Sequence, residues 1–324
     1  MCVNLHILVS NGEVLKSLDA DQQQALACLV AAGARQQHAR AVDSLACELV
    51  EMPRQADIPL AAIRRAVLGA VQDNRYWLIA QPVHLVLQRD YFSMYPPWMV
   101  DVTFEEYAAL MAALQAHFSI DGLDFSTQRT ASGEVACFMS LPSDPEIQTH
   151  EIAAVAGRDI RAYLPQGKGA LTWHGIVNEM QMLLSSHPVN QQREAAGKLP
   201  LNSIWLYGGG FAHSSAQPGA VSVYGQSDWA NAFARMTGAT ALPVADVFDF
   251  SRQTIRTHVL LVDNASELPA VSVLRCALKW RRIRRLSFCL PVMGGALVST
   301  LGGWAAWKPW TAPTTLQQYF EGTV

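Results

Sequence analysis

Charge is scarce in this sequence. Only 16% of its 324 residues are Asp, Glu, Lys or Arg, and 27 acidic against 24 basic residues leave a formal net charge of −3. A balance this close to neutral argues against a general nucleic-acid binder, which carries a strong basic excess. Paired cysteines are missing too. Cys2, Cys28, Cys47, Cys137, Cys276 and Cys289 include no C-x-x-C spacing, which removes the common zinc and dithiol signatures. Several sit in apolar runs, such as Ala27-Cys28-Leu29 and Phe288-Cys289-Leu290, and read as buried free thiols of a reducing compartment. No basic segment followed by a long apolar stretch opens the chain. Met1-Cys2-Val3-Asn4-Leu5-His6-Ile7 reads as a first strand, not a signal peptide, and the expected location is cytoplasmic. H-E-x-x-H, G-x-S-x-G and G-x-x-x-x-G-K-[ST] are absent, as are internal repeats and low-complexity tracts. The most apolar late segment, Leu286 to Trp307, approaches membrane-span length, but Pro291, Gly294-Gly295 and Gly302-Gly303 favour two short buried strands and a turn.

What is present is apolar patterning, in half of all residues. Val3 to Val9 reads as a strand closed by Ser10-Asn11-Gly12. Asp19 or Asp21 caps a helix that Gly33 ends, and further helices cover Val42 to Met52 and the stretch from Pro59 to Val71. The character changes at Asp73-Asn74. Tyr76 to Leu87 is strand-like, although Pro82 places it at an edge, at a bulge or between two strands. Thr103 and Glu106 form a capping box before a helix to Phe118, and Glu134 to Leu141 is another strand. The apolar residues of Leu171 to Ser186 share one helical face, and Pro188 opens a further helix. Asn202 to Tyr207, Ala220 to Tyr224, Thr257 to Val262, Ser287 to Leu290 and Ala296 to Ser299 are apolar strands, several separated by helical patterns, which predicts a largely parallel sheet.

Two surface features are ambiguous in the sequence. Lys279-Trp280-Arg281-Arg282-Ile283-Arg284-Arg285 reads first as the solvated end of a helix entering a strand, with an anion or nucleic-acid patch as the other reading. Trp304, Trp307 and Trp310 read as a core or interface lid, with an exposed partner patch as the alternative.

The most specific stretch runs from Ile176-Val177-Asn178-Glu179 through His187-Pro188-Val189-Asn190-Gln191-Gln192-Arg193. It continues as Gly197-Lys198-Leu199-Pro200-Leu201-Asn202-Ser203-Ile204-Trp205-Leu206-Tyr207-Gly208-Gly209-Gly210. In order, spacing and rare residues it resembles the archaeal-type cofactor-independent phosphoglycerate mutases, in which a helix with an N-E pair leads to H-P-V-N-x-x-R, G-K-x-P-A-N, an apolar W-L strand and a glycine-rich loop. Over more of its length, including Tyr76-Trp77-Leu78, Pro82-Val83-His84-Leu85, His117-Phe118 and Asp121-Gly122-Leu123, the chain resembles the RpfE-type bacterial regulatory proteins.

The resemblance implies an α/β, alkaline-phosphatase-like fold: a largely parallel sheet flanked by helices, with an inserted smaller α+β domain. Residues 1–73 and 199–324 would form the core and 74–198 the insert. The family reaction needs two divalent metals and a Ser or Thr nucleophile. Where the family's first strand ends in Asp-Gly, this chain has Asn11-Gly12. Its D-x-x-G-H has only Asp263-Asn264-Ala265-Ser266-Glu267 as a counterpart, and its D-H pair is replaced by Pro291-Val292-Met293-Gly294-Gly295. No catalytic residue, metal site or cofactor is therefore expected.

The ligand-binding candidates are His187, Asn190, Arg193, Lys198, Asn202, Gly208, Gly209 and Gly210. Arg193 and Lys198 offer charge-assisted donors to a phosphorylated or carboxylated metabolite, or are surface charges on a short helix. His187 contacts such a ligand or caps the helix that follows, Asn178 and Glu179 fix the following loop, and Asn190 and Asn202 are turn and strand-entry residues. The glycine triplet is a ligand-binding strand end or a tight backbone crossing. A regulatory relative without catalysis that binds a phosphorylated metabolite or a protein partner, a mutase or phosphotransferase with a rearranged site, and a purely structural partner-binding protein are the three functional classes left open. No nucleic acid or membrane partner is expected.

Overall fold

The structure, a computed structural model, describes residues 3–50, 55–71, 73–129, 135–212, 221–238, 240–249, 257–307 and 315–320. In chain order the elements are β1 (Val3–Val9), α1 (Gly12–Lys16), α2 (Ala20–Ala32), β2 (Ala34–His38), α3 (Val42–Leu49), α4 (Leu60–Val67), β3 (Tyr76–Leu87) and β4 (Phe92–Tyr95). There follow α5 (Phe104–Phe118), β5 (Asp124–Arg129), β6 (Val135–Leu141), α6 (Ile152–Val155), α7 (Ala170–Ser185), α8 (Pro188–Ala195) and β7 (Ser203–Phe211). The chain closes with β8 (Val221–Tyr224), α9 (Asp228–Met236), β9 (Thr257–Val262), α10 (Val271–Lys279), β10 (Ile283–Val292), β11 (Gly295–Gly302) and α11 (Leu316–Phe320). No helix among the described residues is long and apolar enough to cross a membrane.

The chain divides into two compact units, Met1–Pro53 with His213–Val324, and Arg54–Ala212. The first holds a six-stranded sheet in the order β2-β11-β10-β1-β9-β8. β1 runs parallel to β10 and β9, and β8 parallel to β9, while β11 is antiparallel to both β10 and β2. Parallel strands covered on both faces read as continuous apolar runs, as Val259 to Val262 do in β9. Val3, Leu5, Ile7 and Val9 of β1 share a core with Leu26 and Leu29 of α2, Leu274 and Leu278 of α10 and Leu316 of α11. Alternation turns Leu8 to the opposite face, and α3 packs against β1. Asp19 and Gln22 start α2 with a reciprocal capping box.

The second unit is an antiparallel sheet ordered β4-β3-β6-β5, with β7 on the other side of β3. Tyr76, Leu78 and Ala80 of β3 meet Leu110 and Leu114 of α5 and Trp173, Met180 and Leu184 of α7 in one core. Thr103 and Glu106 make the expected capping box on α5. Pro82 lies between the part of β3 that pairs with β6 and the part that pairs with β4, so its missing N–H falls where the neighbouring strand changes.

Three expectations shift. β7, placed by sequence in the α/β core, belongs to the sheet of the second unit, which runs 54–212 instead of 74–198. Gly208, Gly209 and Gly210 continue β7 beyond Tyr207, the expected end of the apolar strand. Trp304 and Trp307 are 82% and 63% exposed and are not core, while Trp310 lies outside the described residues.

Candidate functional site

The segment that carries the resemblance forms the α7–α8 corner and the strand after it. His187 is the N-cap of α8, and its Nδ1 accepts the Val189 N–H at 3.2 Å. Partial burial lowers its pKa. Asn190 is 1% exposed, and its amide is wholly committed to backbone. Nδ2 donates to Leu184 O at 2.8 Å and Leu201 O at 2.9 Å, and Oδ1 accepts Leu201 N–H at 2.7 Å. Asn202 pairs in the same two-way manner with the Leu85 backbone, at 2.8 and 2.9 Å. These amides act as extra peptide groups that splice the α8–β7 connection to its neighbours.

Arg193 is neither a surface charge nor open to solvent, being 2% exposed. Nε donates to Leu199 O at 2.7 Å, Nη1 to Glu106 Oε2 at 2.8 Å and Nη2 to Asp101 O at 3.0 Å. Glu106 Oε2 also accepts the Thr103 N–H, so one ion pair fastens α8 to the start of α5. Lys198 is half exposed and reaches Asp101 Oδ2 at 3.3 Å. Glu179 bonds His117 Nε2 of α5 at 2.7 Å instead of the loop after α7, and Asn178 is exposed.

The glycines stand apart from this corner. Asn202 and Gly210 are eight residues apart along an extended strand, about 25 Å. Gly208 has φ +66°, and a Cβ there would lie 2.7 Å from Leu60 Cβ; at Gly210 it would lie 2.7 Å from Pro59 Cβ. α4 and its lead-in therefore cross β7 at backbone distance, a crossing that only glycine permits. Beside it the structure reveals a polar group that no motif announced. Gln55 bonds both the N–H and the C=O of Phe211, at 2.8 and 3.0 Å. Asp57 accepts from the backbone N–H and hydroxyl of Thr149 and from the Gly209 N–H, and burial raises its pKa despite these bonds. The Tyr76 hydroxyl is buried without a hydrogen-bond partner among the described residues, and its pKa is raised chiefly by burial, then by Asp57 and Asp144. A single Asp and a single Gln, each separated from its partners by most of the unit's sequence, leave no spacing to recognise.

The third place is the carboxyl edge of the parallel strands in the first unit, where doubly wound sheets bind ligands. Ser10 follows β1 and Asp263 follows β9, and the Ser10 hydroxyl donates to Asp263 Oδ1. Asn11 caps α1, accepting from Glu13 N at 3.0 Å and Val14 N at 3.2 Å, and donates to Ser10 Oγ at 3.1 Å. Both Glu267 oxygens accept backbone N–H groups, of Asp263 at 2.9 Å and Gln226 at 3.0 Å. Met293-Gly294 forms the tight turn between β10 and β11. Among the described residues, no three His, Cys, Asp or Glu side chains gather as metal ligands.

No family model matches the chain. A stretch of 58 residues is 41% identical to the probable 2,3-bisphosphoglycerate-independent phosphoglycerate mutase of Geobacter sulfurreducens, covering 18% of this chain and 14% of that protein. The corresponding mutases of Methanosarcina mazei and Methanothrix thermoacetophila are 40% identical over 58 residues and 38% over 71, covering 18% and 22% of this chain and 15% and 18% of theirs. The match thus spans under a fifth of the length of these curated relatives. Among solved structures, the cofactor-independent phosphoglycerate mutase from Thermoplasma acidophilum aligns over 93% of this chain and 90% of its own, at 14% identity and a TM-score of 0.34. The PH0037 protein from Pyrococcus horikoshii aligns over 93% and 88%, at 10% identity and a TM-score of 0.41. The chain has a local sequence relationship to cofactor-independent phosphoglycerate mutases.

Proposed function

We propose that this chain is a regulatory, non-catalytic relative of the cofactor-independent phosphoglycerate mutases, of alkaline-phosphatase-like and RpfE-type descent, that acts by binding a protein partner. One observation carries the reading. Three polar side chains of the mutase-like segment are committed to the chain itself: the Asn190 and Asn202 amides to backbone, the Arg193 guanidinium to Glu106 and two carbonyls. A segment retained for its internal bonds holds a fold, and needs no substrate to explain it.

The sheet edge supports the same reading. Two divalent ions require several carboxylates or imidazoles converging on a shared centre. Here Asn11 is neutral and caps a helix, Glu267 is filled by two backbone N–H groups, and Asp263 takes the Ser10 hydroxyl. This donor set does not fit a two-metal site. The Ser10–Asp263 pair is also the feature that favours the alternative, a phosphotransferase with a rearranged site, since a hydroxyl beside a carboxylate is a candidate nucleophile with its base.

Thermal unfolding with 3-phosphoglycerate, manganese, or both tests the binding side of the proposal. A ligand at a hundredfold excess over its dissociation constant adds about 2.7 kcal/mol of stability. The expected result is no shift with either. A shift that requires both, and that Asp263→Asn removes, would restore the phosphotransferase reading.

A further inference from the structure

The charge of this protein is unevenly distributed. Of its 24 Lys and Arg residues, seven fall between Leu268 and Phe320, and none of its 27 acidic residues does. Four of those seven, Arg281, Arg282, Arg284 and Arg285, stand exposed at the passage from α10 into β10 and make no ion pair among the described residues. Three exposed tryptophans accompany them: Trp280, Trp304 and Trp307, at 72%, 82% and 63%.

The turn itself shows that charge is held there against backbone preference. Arg281 N–H donates to Leu278 O at 3.1 Å and Arg282 N–H to Ala277 O at 2.9 Å, a closure that places Arg281 at φ +53°. That left-handed position after a helix ordinarily belongs to glycine. Beyond it lies a groove of about 380 Å³, with Ile283 buried at its base, Trp304 and Trp307 along its side and Lys279, Arg281 and Arg284 around it. A second hollow, of about 640 Å³, lies between α2 and α10. The two share Lys279 and Trp307, whose ammonium stands 4.3 Å from the ring centroid.

We infer that this double groove docks an acidic amphipathic segment of a partner protein. The inference deepens the partner-binding reading above and rests on it. Aromatic and Arg side chains dominate the strongest points of protein interfaces, and an apolar centre ringed by polar residues is their usual anatomy. Apolar anchors of the partner would fill the hollows on either side of the Lys279–Trp307 pair, and its carboxylates would meet the surrounding cations. Charge complementarity selects the acidic partner, since no carboxylate of the Leu268–Phe320 segment competes for those cations. Concavity and a buried isoleucine favour an apolar anchor over a lipid surface, and the acidic excess of the remaining chain opposes a nucleic acid.

The test uses the full chain and a fluorescein-labelled synthetic peptide with Glu on one helical face and Leu and Phe on the other, read by polarisation at two salt concentrations. Saturable, salt-sensitive binding is expected, weakened about tenfold by Trp304→Ala and several-fold by Arg284→Gln. Arg281→Gly is the decisive variant, because glycine suits the left-handed turn. Its unfolding temperature should hold or rise while peptide affinity falls. Equal binding of polyglutamate, tighter binding of oligothymidylate or phosphatidylserine vesicles, or no peptide binding would each overturn the proposal. Phosphoglycerate turnover would instead overturn the reading on which it rests and leave the peptide result standing.

Discussion

Arg193→Met removes the guanidinium that joins α8 to the start of α5 while keeping most of its apolar stem. Three acceptors lose their donor: Leu199 O, Asp101 O and Glu106 Oε2. Removing one partner of a buried ion pair costs about 3–5 kcal/mol, because the other is left uncompensated. Glu106 is 21% exposed and keeps the Thr103 N–H, so it rehydrates in part and the lower end applies. A loss of about 3 kcal/mol corresponds to a fall of roughly 6–12 °C in a unit of this size. Circular dichroism of the full chain on heating measures it, and Arg193→Lys, which keeps the charge but loses the fork, should fall between the two. An unchanged unfolding temperature in Arg193→Met, together with loss of a 3-phosphoglycerate response present in the parent, would refute the structural assignment and make Arg193 a ligand contact.

Further outcomes follow from single contacts. A Cβ at Gly209 would lie 2.5 Å from Tyr76 Oη and 2.9 Å from Leu78 Cδ2, so Gly209→Ala should destabilise by about 1–3 kcal/mol in denaturant titrations. Tyr76→Phe removes a buried hydroxyl that has no partner among the described residues; it should be neutral or stabilise by about 1 kcal/mol, and recover part of the Gly209→Ala loss in the double variant. No recovery would show that the crossing is limited by backbone. Burial and the nearby Arg285 hold His6 down at about 4, against 6.5 in the unfolded chain. The unfolded state therefore takes up the proton first, and stability falls as pH drops from about 6.5 towards 4, by about 3 kcal/mol in full. His6→Gln should flatten that part of the midpoint-versus-pH curve, and an equally steep curve would assign the loss to other groups.

The parts of the fold legible in sequence were those where one rule acted alone. β1, β9 and α5 match the apolar runs and the capping box closely, since buried parallel strands and a helix with a reciprocal cap leave few alternatives. β2 escaped because Ala34–His38 is almost entirely polar and exposed, an edge strand without alternation. In sequence Asn11 stands as a turn residue and as a neutral replacement for a metal-binding aspartate; its geometry shows the N-cap of a short helix, a role asparagine fills as well as aspartate. The glycine triplet allows both a ligand-binding strand end and a tight backbone crossing in sequence, and the structure shows the crossing. Glycine in a strand marks close backbone approach as readily as a loop, and only the position of α4 against β7 separates the two. At the candidate site the sequence identified the residues of the α7–α8 corner but not their partners. Asp101 and Glu106 lie some ninety positions from Arg193, and no local pattern connects them.

The central claim, a mutase-like segment without mutase chemistry, is tested most directly by turnover. Purified full-length chain is incubated with 3-phosphoglycerate and manganese or magnesium, and 2-phosphoglycerate formation is followed through a coupled enolase reaction. The expected rate equals that of the buffer blank with either metal. Metal-dependent conversion above the blank, abolished by Ser10→Ala, would contradict the claim and establish the carboxyl edge of β1 and β9 as an active site.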